Sequence, residues 1–276
     1  MEQMPKITHH YLRTKKKFPS VWCSGCGIGI VFGAIIRAID ELKLEKDSVA
    51  MVSGIGCSSR MPVYADFNTL HTTHGRALAF ATGVKLAKPE LNVIVITGDG
   101  DGLAIGGNHF IHSARRNMDI TTILLNNNTY AMTGGQYSPS TPFDKFGTTA
   151  PYGNVERGFD TCELAKGAGA VFVARGTAYH VIQLQKMVEK AILKKGFSLV
   201  EVLTPCPTIY GRLNREGTAI QMLEWQKDHA VAVSAARSMP PEKLKDKFLT
   251  GVLWDIEFPE YGEEYNKIIQ RAQAKG

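Results

Sequence analysis

Residues 94–136 read IVITGDGDGLAIGGNHFIHSARRNMDITTILLNNNTYAMTGGQ, and the rest of the chain is arranged around this stretch. Residues 93–97 are a β-branched apolar run of the kind buried on both faces of a parallel sheet. The run ends in Gly98-Asp99-Gly100-Asp101-Gly102, which predicts a strand running into a glycine-rich turn. Such a turn brings backbone N–H groups up to the oxygens of a phosphate, while Asp99 and Asp101 put carboxylates into the same small volume. Anion and carboxylates share that space only through a cation. A helix is predicted over 106–116, then a second buried strand over 120–125 that ends in Asn126-Asn127-Asn128-Thr129. Parallel strands deliver their carboxyl ends to one edge, where ligands bind, so Asp99 and Asn127, 28 positions apart, are expected to meet. A carboxylate, an amide oxygen, a backbone carbonyl and a diphosphate suit the six-oxygen preference of Mg²⁺. The competing reading of GDGDG is a calcium loop or a plain acidic turn.

The order GDG, then 25 intervening residues from Gly100 to Asn126, then NN, resembles the signature of thiamine diphosphate enzymes. The resemblance implies Mg²⁺ on the side chains of Asp99 and Asn127 and the backbone carbonyl of Thr129, with Gly100, Asp101, Ala131 and Met132 lining the cofactor.

At 276 residues and 44% apolar content, the chain is long enough to bury a full core as one large or two small domains. It holds no 18-residue apolar run to span a membrane. The first residues, MEQMPKITHHYLRTKKKF, have no apolar segment behind their charges and so do not read as a secretory signal; a cytoplasmic protein is expected. Formal net charge is +6, part of it on Lys6, Arg13, Lys15, Lys16 and Lys17. Residues 1–19 are read as a basic arm, either a contact for an acidic partner or nucleic acid or a solvated tail. No nucleic-acid or membrane partner is assigned.

Four of the five cysteines sit in glycine- or proline-rich turns: Cys23 and Cys26 in WCSGCG, Cys57 in GIGCSS, and Cys206 in TPCP. The CxxC opens an amphipathic helix through about residue 44, with Ile28, Val31, Ile35, Ile39 and Leu42 at helical spacing. Cys162, in DTCELAKGAGA, reads instead as a core thiol. In a reducing compartment four thiolates point to Zn²⁺ or an iron–sulfur cluster rather than disulfides. Ligands spread from 23 to 206 suit a cluster better than the close pairs usual around zinc.

Together the segments WCSGCG, IGCSSR, HGRA, GDGDG, NNNTYAMTGGQ and TPCP resemble, in order, the β subunit of 2-oxoacid:ferredoxin oxidoreductases over about residues 20–210. The resemblance gives Cys23, Cys26, Cys57 and Cys206 to a 4Fe-4S cluster and places Ile55, Gly56, Cys57, Ser58 and His74 against the thiamine diphosphate. It implies oxidative decarboxylation of a 2-oxoacid with coenzyme A as co-substrate and ferredoxin as one-electron acceptor. Similarity over 98–117 and 129–136 points to 2-oxoglutarate; pyruvate and branched-chain 2-oxoacids stay open. A glutamate that activates the cofactor is expected from a separate α subunit, in an αβ or (αβ)₂ assembly, and none is assigned here. His71, Lys145 and Arg212 are weaker candidates for contacts with substrate or coenzyme A, an ordinary surface role being the alternative. A non-redox thiamine diphosphate decarboxylase or carboligase, and a zinc-stabilised non-catalytic subunit, are the rival classes.

The expected fold is an α/β, doubly wound parallel sheet of the thiamine diphosphate-binding type, because strands and helices alternate with short connections. Further strands are predicted over 49–53, 170–174 and 197–203. Helices are predicted over 77–86 and over 179–194, the latter with Ile182, Met187, Val188 and Ala191 inward; 151–158 reads as a loop. The cofactor-binding domain is placed at 20–206. Residues 207–276, where the pattern breaks, are read as a C-terminal extension packed on the domain or on the partner.

Overall fold

The computed structural model describes residues 4–15 and 19–274. Strand β3 (Asn92–Gly98) lies between β1 (Val49–Ser53) and β4 (Thr121–Asn126), and outward from these run β2 (Asn68–His71), β5 (Phe172–Thr177), β6 (Ser198–Leu203), β7 (Ala230–Ala232) and β8 (Phe248–Asp255), in the order β2-β1-β3-β4-β6-β5-β8-β7. Every pairing is parallel except β5 with β8. Alternation explains why the central strands read as unbroken apolar runs. Ile94 and Ile96 of β3 enter one apolar cluster and Val93 and Val95 the other, and in β1 Val49 and Met51 separate in the same way from Ala50 and Val52.

Helices α2 (Ile28–Glu41) and α6 (Val181–Leu193) cover the first face; α3 (Ala77–Ala87), α4 (Gly107–Arg115) and α5 (Thr161–Ala168) cover the second. Ile35, Ile36 and Ile39 of α2 are completely buried, each contributing about 1.5–3 kcal/mol. In α6 the inward stripe is Leu184, Met187, Val188 and Ala191, whereas Ile182, expected inward, is 59% exposed. It occupies the first turn, ahead of the stripe that meets α2.

Two edges differ from the sequence reading. Residues 207–276 are not laid against a finished sheet: β8 pairs antiparallel with β5, shifting register between Val173 and Ala174. α7 (Ala219–His229) precedes β7, and α8 (Tyr261–Gln273) ends the chain. β8 is half-exposed along its length and contains Gly251, so it shows neither an apolar run nor clean alternation. At the other end, α1 (Met4–His10) leads into Tyr11 and Leu12, both core residues. The Tyr11 hydroxyl donates to Asp40 at 3.0 Å, and Arg13 donates to the Ala65 carbonyl and the Thr69 hydroxyl. The arm is therefore anchored at 11–13; Lys16 and Lys17 lie outside the described residues. No helix among the described residues is long and apolar enough to cross a membrane.

From β1 the chain crosses to β2 on one side and then returns past β1 to β3 on the other. A crevice opens at such a switch point, outside the carboxyl ends of the strands.

Candidate cofactor site and thiol cluster

A cavity of about 100 Å³ occupies that crevice. Ile55, Gly56, Cys57 and Ser58 reach it from the turn after β1, His74 from the turn after β2, and Asp99, Gly100 and Asp101 from the end of β3. Asn127, Thr129, Ala131 and Met132 arrive from the segment after β4. The fifteen residues assigned from the sequence thus divide cleanly. Twelve, Cys57 included, line this one cavity, and Cys23, Cys26 and Cys206 stand apart from it. Ile28, Tyr130 and Thr133 line it as well and were not anticipated.

Beyond β3 the backbone enters a π-helical turn, Gly100–Ile105, before α4 begins. Two glycines are demanded by close approach. A Cβ on Gly100 would lie 2.2 Å from the Tyr130 ring, and one on Gly54 would lie 2.2 Å from an Asp101 carboxylate oxygen.

The two aspartates do different work. Asp101 is 3% exposed, and protein donors occupy its carboxylate: Oδ1 accepts from the backbone N–H groups of Ile55 (3.1 Å) and Gly75 (2.7 Å) and lies 2.6 Å from His74 Nδ1, while Oδ2 accepts from the Thr97 hydroxyl at 2.7 Å. It ties three cavity-lining turns together. Asp99, also 3% exposed, accepts on Oδ2 from the Ser138 and Ser140 hydroxyls, each at 2.6 Å. Burial pushes its carboxyl above the usual range, against the pull of the two hydroxyls. Among the described residues no basic side chain lines the cavity beside it except His74. A buried carboxylate next to an amide side chain and a backbone carbonyl is a hard-oxygen donor set that fits Mg²⁺. The two serines gave no sequence signal, since they lie 39 and 41 residues from Asp99.

Asn126, first of the three asparagines, serves the frame. Its Nδ2 donates to buried Glu201 at 2.9 Å, and its Oδ1 accepts from the Asn128 N–H. Asn127 alone of the three lines the β1–β3–β4 cavity. Lys145 pairs with Glu216 at 2.6 Å and lines a separate cavity of about 520 Å³ beyond β4 and β6. His71 and Arg212 are exposed and line neither.

The loops bearing Cys23, Cys26, Cys57 and Cys206 are stitched to one another. The Cys26 N–H donates to the Cys23 carbonyl and the Gly27 N–H to Pro205; Trp22 Nε1 donates to the Cys57 carbonyl at 2.8 Å. Backbone N–H groups at helix starts reach two sulfurs, that of Ile28 at Cys26 and those of Ile209 and Tyr210 at Cys206, where unpaired donors favour negative charge. Burial first, then the neighbouring cysteines, push the Cys26 thiol up to about 12 and Cys57 to about 11. Cys57 also feels Asp99, so it borders both centres. Four sulfurs converging from three loops fit a multi-thiolate inorganic centre, although no group of three or more His, Cys, Asp or Glu among the described residues is gathered tightly enough to form a ready-made ion site. Cys162 lies in the cluster on the other face of the sheet, 3.4 Å from Glu201, and is a core thiol.

Residues 54–202 match the thiamine pyrophosphate enzyme family, C-terminal TPP-binding domain. The whole chain is similar to 2-oxoglutarate synthase subunit KorB of Methanocaldococcus jannaschii, 49% identical over 96% of this chain and 98% of the relative. The chain is a KorB-family thiamine pyrophosphate enzyme subunit. Similarity to the KorB of Archaeoglobus fulgidus is 58% over 72% of this chain and 73% of the relative. For the 2-oxoacid:ferredoxin oxidoreductase subunit beta of Saccharolobus solfataricus it is 39%, over 86% and 77%. Among solved structures, 2-oxoglutarate:ferredoxin oxidoreductase from Magnetococcus marinus, with 2-oxoglutarate, coenzyme A and succinyl-CoA bound, superposes with a TM-score of 0.85 at 32% identity, covering 96% of this chain and 90% of that one. In this KorB-family chain the general thiamine domain takes in Asp99, Asn127 and Cys57 but stops short of Cys23, Cys26 and Cys206, so three of the four thiols lie outside it.

Proposed function

We propose that this chain is the β subunit of a cytoplasmic 2-oxoglutarate:ferredoxin oxidoreductase, which converts 2-oxoglutarate and coenzyme A to succinyl-CoA and CO₂ with reduction of ferredoxin. In this reading Asp99, Asn127 and the Thr129 carbonyl hold Mg²⁺, and Ile55, Gly56, Cys57, Ser58, His74, Gly100, Asp101, Ala131 and Met132 border thiamine diphosphate. Cys23, Cys26, Cys57 and Cys206 hold a 4Fe-4S cluster. When bound, these groups supply an electron sink for decarboxylation and a carrier that removes the electrons singly.

The protein's part is placement. The turn at the end of β3 offers backbone N–H groups to the diphosphate. Asp101 fixes His74 through Nδ1 and leaves Nε2 for a cofactor oxygen. The observation that carries the redox reading is the 55–58 turn, whose Cys57 lines the cavity and belongs to the thiol set. A carboligase needs no such junction.

The same cavity argues for a partner. It is well below the roughly 300 Å³ at the low end for ligand sites, and among the described residues no glutamate lines it. The α subunit is proposed to close the cofactor's other half and bring the activating glutamate, in an αβ or (αβ)₂ assembly. Anaerobic purification with a visible spectrum and iron, sulfide, zinc and thiamine analysis tests the reading. Iron and acid-labile sulfide in equal amounts, with bound thiamine and without zinc, is the expected result. Zinc in place of iron would reduce the chain to a stabilised non-catalytic subunit, and thiamine without iron would make it a non-redox enzyme.

A further inference from the structure

We infer that Ser138 and Ser140 restrict Asp99 to a single coordinating oxygen and thereby select Mg²⁺ over Ca²⁺ at the diphosphate site, an inference that rests on reading Asp99 as the cation's carboxylate ligand. Both hydroxyls lie 2.6 Å from the same oxygen, Asp99 Oδ2, within the range of short, charge-assisted O–H···O⁻ bonds. A carboxylate oxygen carries two lone pairs; the Ser138 hydrogen faces one, and the single Ser140 hydrogen, shared with Asn126 Oδ1 at 2.9 Å, faces the other at the shorter 2.6 Å. Among the described residues no side chain donates to Oδ1; apart from the backbone N–H groups of Gly100 and Asp99, which also reach the carboxylate, it is the oxygen offered to the cation.

The serines are well placed to enforce this. They are 2% and 6% exposed, and neither lines the cavity, so they act through Asp99 as positioning residues. Ser138 is clamped to Thr141, whose hydroxyl accepts from the Ser138 N–H at 2.7 Å and donates to the Asn128 carbonyl at 2.7 Å. Ser140 Oγ sits 2.9 Å from Asn126 Oδ1, and Asn126 is itself fixed by Glu201. The segment that delivers Asn127 and Thr129 to the cavity thus also sets the orientation of Asp99.

Cation size turns this into selectivity. Mg²⁺ takes six oxygens at about 2.0–2.1 Å and is content with one oxygen per carboxylate, whereas Ca²⁺ takes six to eight at about 2.3–2.6 Å and readily uses both. Freeing Oδ2 would open the two-oxygen mode.

The test uses the complex with its partner subunit, stripped of cofactor and metal by chelation, and follows thiamine diphosphate binding by calorimetry as Mg²⁺ or Ca²⁺ is titrated. In S138A/S140A the Mg²⁺ preference is expected to shrink by on the order of tenfold, because Mg²⁺-supported binding weakens while Ca²⁺-supported binding holds or improves. The single variant S140A keeps one hydroxyl and should fall between, and S140T, which keeps both, should match wild type. An equal loss with both ions, or no change with either, overturns the inference. D99A separates the two levels: if it retained wild-type dependence on the cation, Asp99 would not be the ligand and the reading beneath would fall first.

Discussion

The β1–β3–β4 cavity and the thiol cluster share Cys57 yet are held by different means. Side chains hold the cavity: Asp101 gathers Ile55, His74, Gly75 and Thr97, and two serines grip Asp99. Backbone holds the sulfurs, through loop-to-loop hydrogen bonds and N–H groups at helix starts, while burial first and neighbouring cysteines next oppose loss of the protons of Cys26, Cys57 and Cys206. A frame of side chains can be weakened one contact at a time. Thiols gathered this closely would depend on the charge of the inorganic core proposed for them, so losing one ligand should affect the whole set.

Cys57→Ser should act on the whole thiol set. Iron content is expected to fall at least about tenfold, with bleaching of the anaerobic visible spectrum, whereas Cys162→Ser, on the opposite face of the sheet, leaves both unchanged. The reverse pattern would mean that the wrong four cysteines have been chosen. Next comes Asp99→Ala, which leaves a buried diphosphate and its cation without their carboxylate; at roughly 3 kcal/mol or more, thiamine diphosphate affinity should drop on the order of 100-fold. Iron content should hold, and a parallel loss of iron would show that the two centres are not separable. Asp101→Ala should act on the apo-protein, lowering its unfolding free energy in urea by about 2–3 kcal/mol. An unchanged denaturation midpoint would contradict its role as a tie. Gly100→Ala is expected to cost about 1–3 kcal/mol as Tyr130 gives way, with cofactor affinity falling and the iron spectrum intact.

Legibility in the sequence followed the same division between local pattern and tertiary assembly. β1, β3, β4 and β6 were readable because each is buried on both faces and so carries a mostly apolar run. β2 is a polar, partly exposed edge of four residues, and β8 is half-exposed; both acquire strand identity from the neighbour they pair with. Asp99 and Asn127 were readable because parallel strand ends must coincide. Ser138 and Ser140 were not, because the loop that carries them folds back through contacts with Thr141, Asn126 and Asn128 that no spacing announces. The role of Asp101 as a tie was hidden for a related reason: its partners sit on turns that only the sheet order brings together.

The central claim is that this chain supplies one half of an active site together with its electron outlet. The most direct test is to purify it anaerobically with and without its partner subunit, and to follow 2-oxoglutarate- and coenzyme A-dependent reduction of a low-potential dye. The isolated chain should retain iron and show no turnover, with activity appearing on addition of the partner; turnover by the isolated chain would contradict the account.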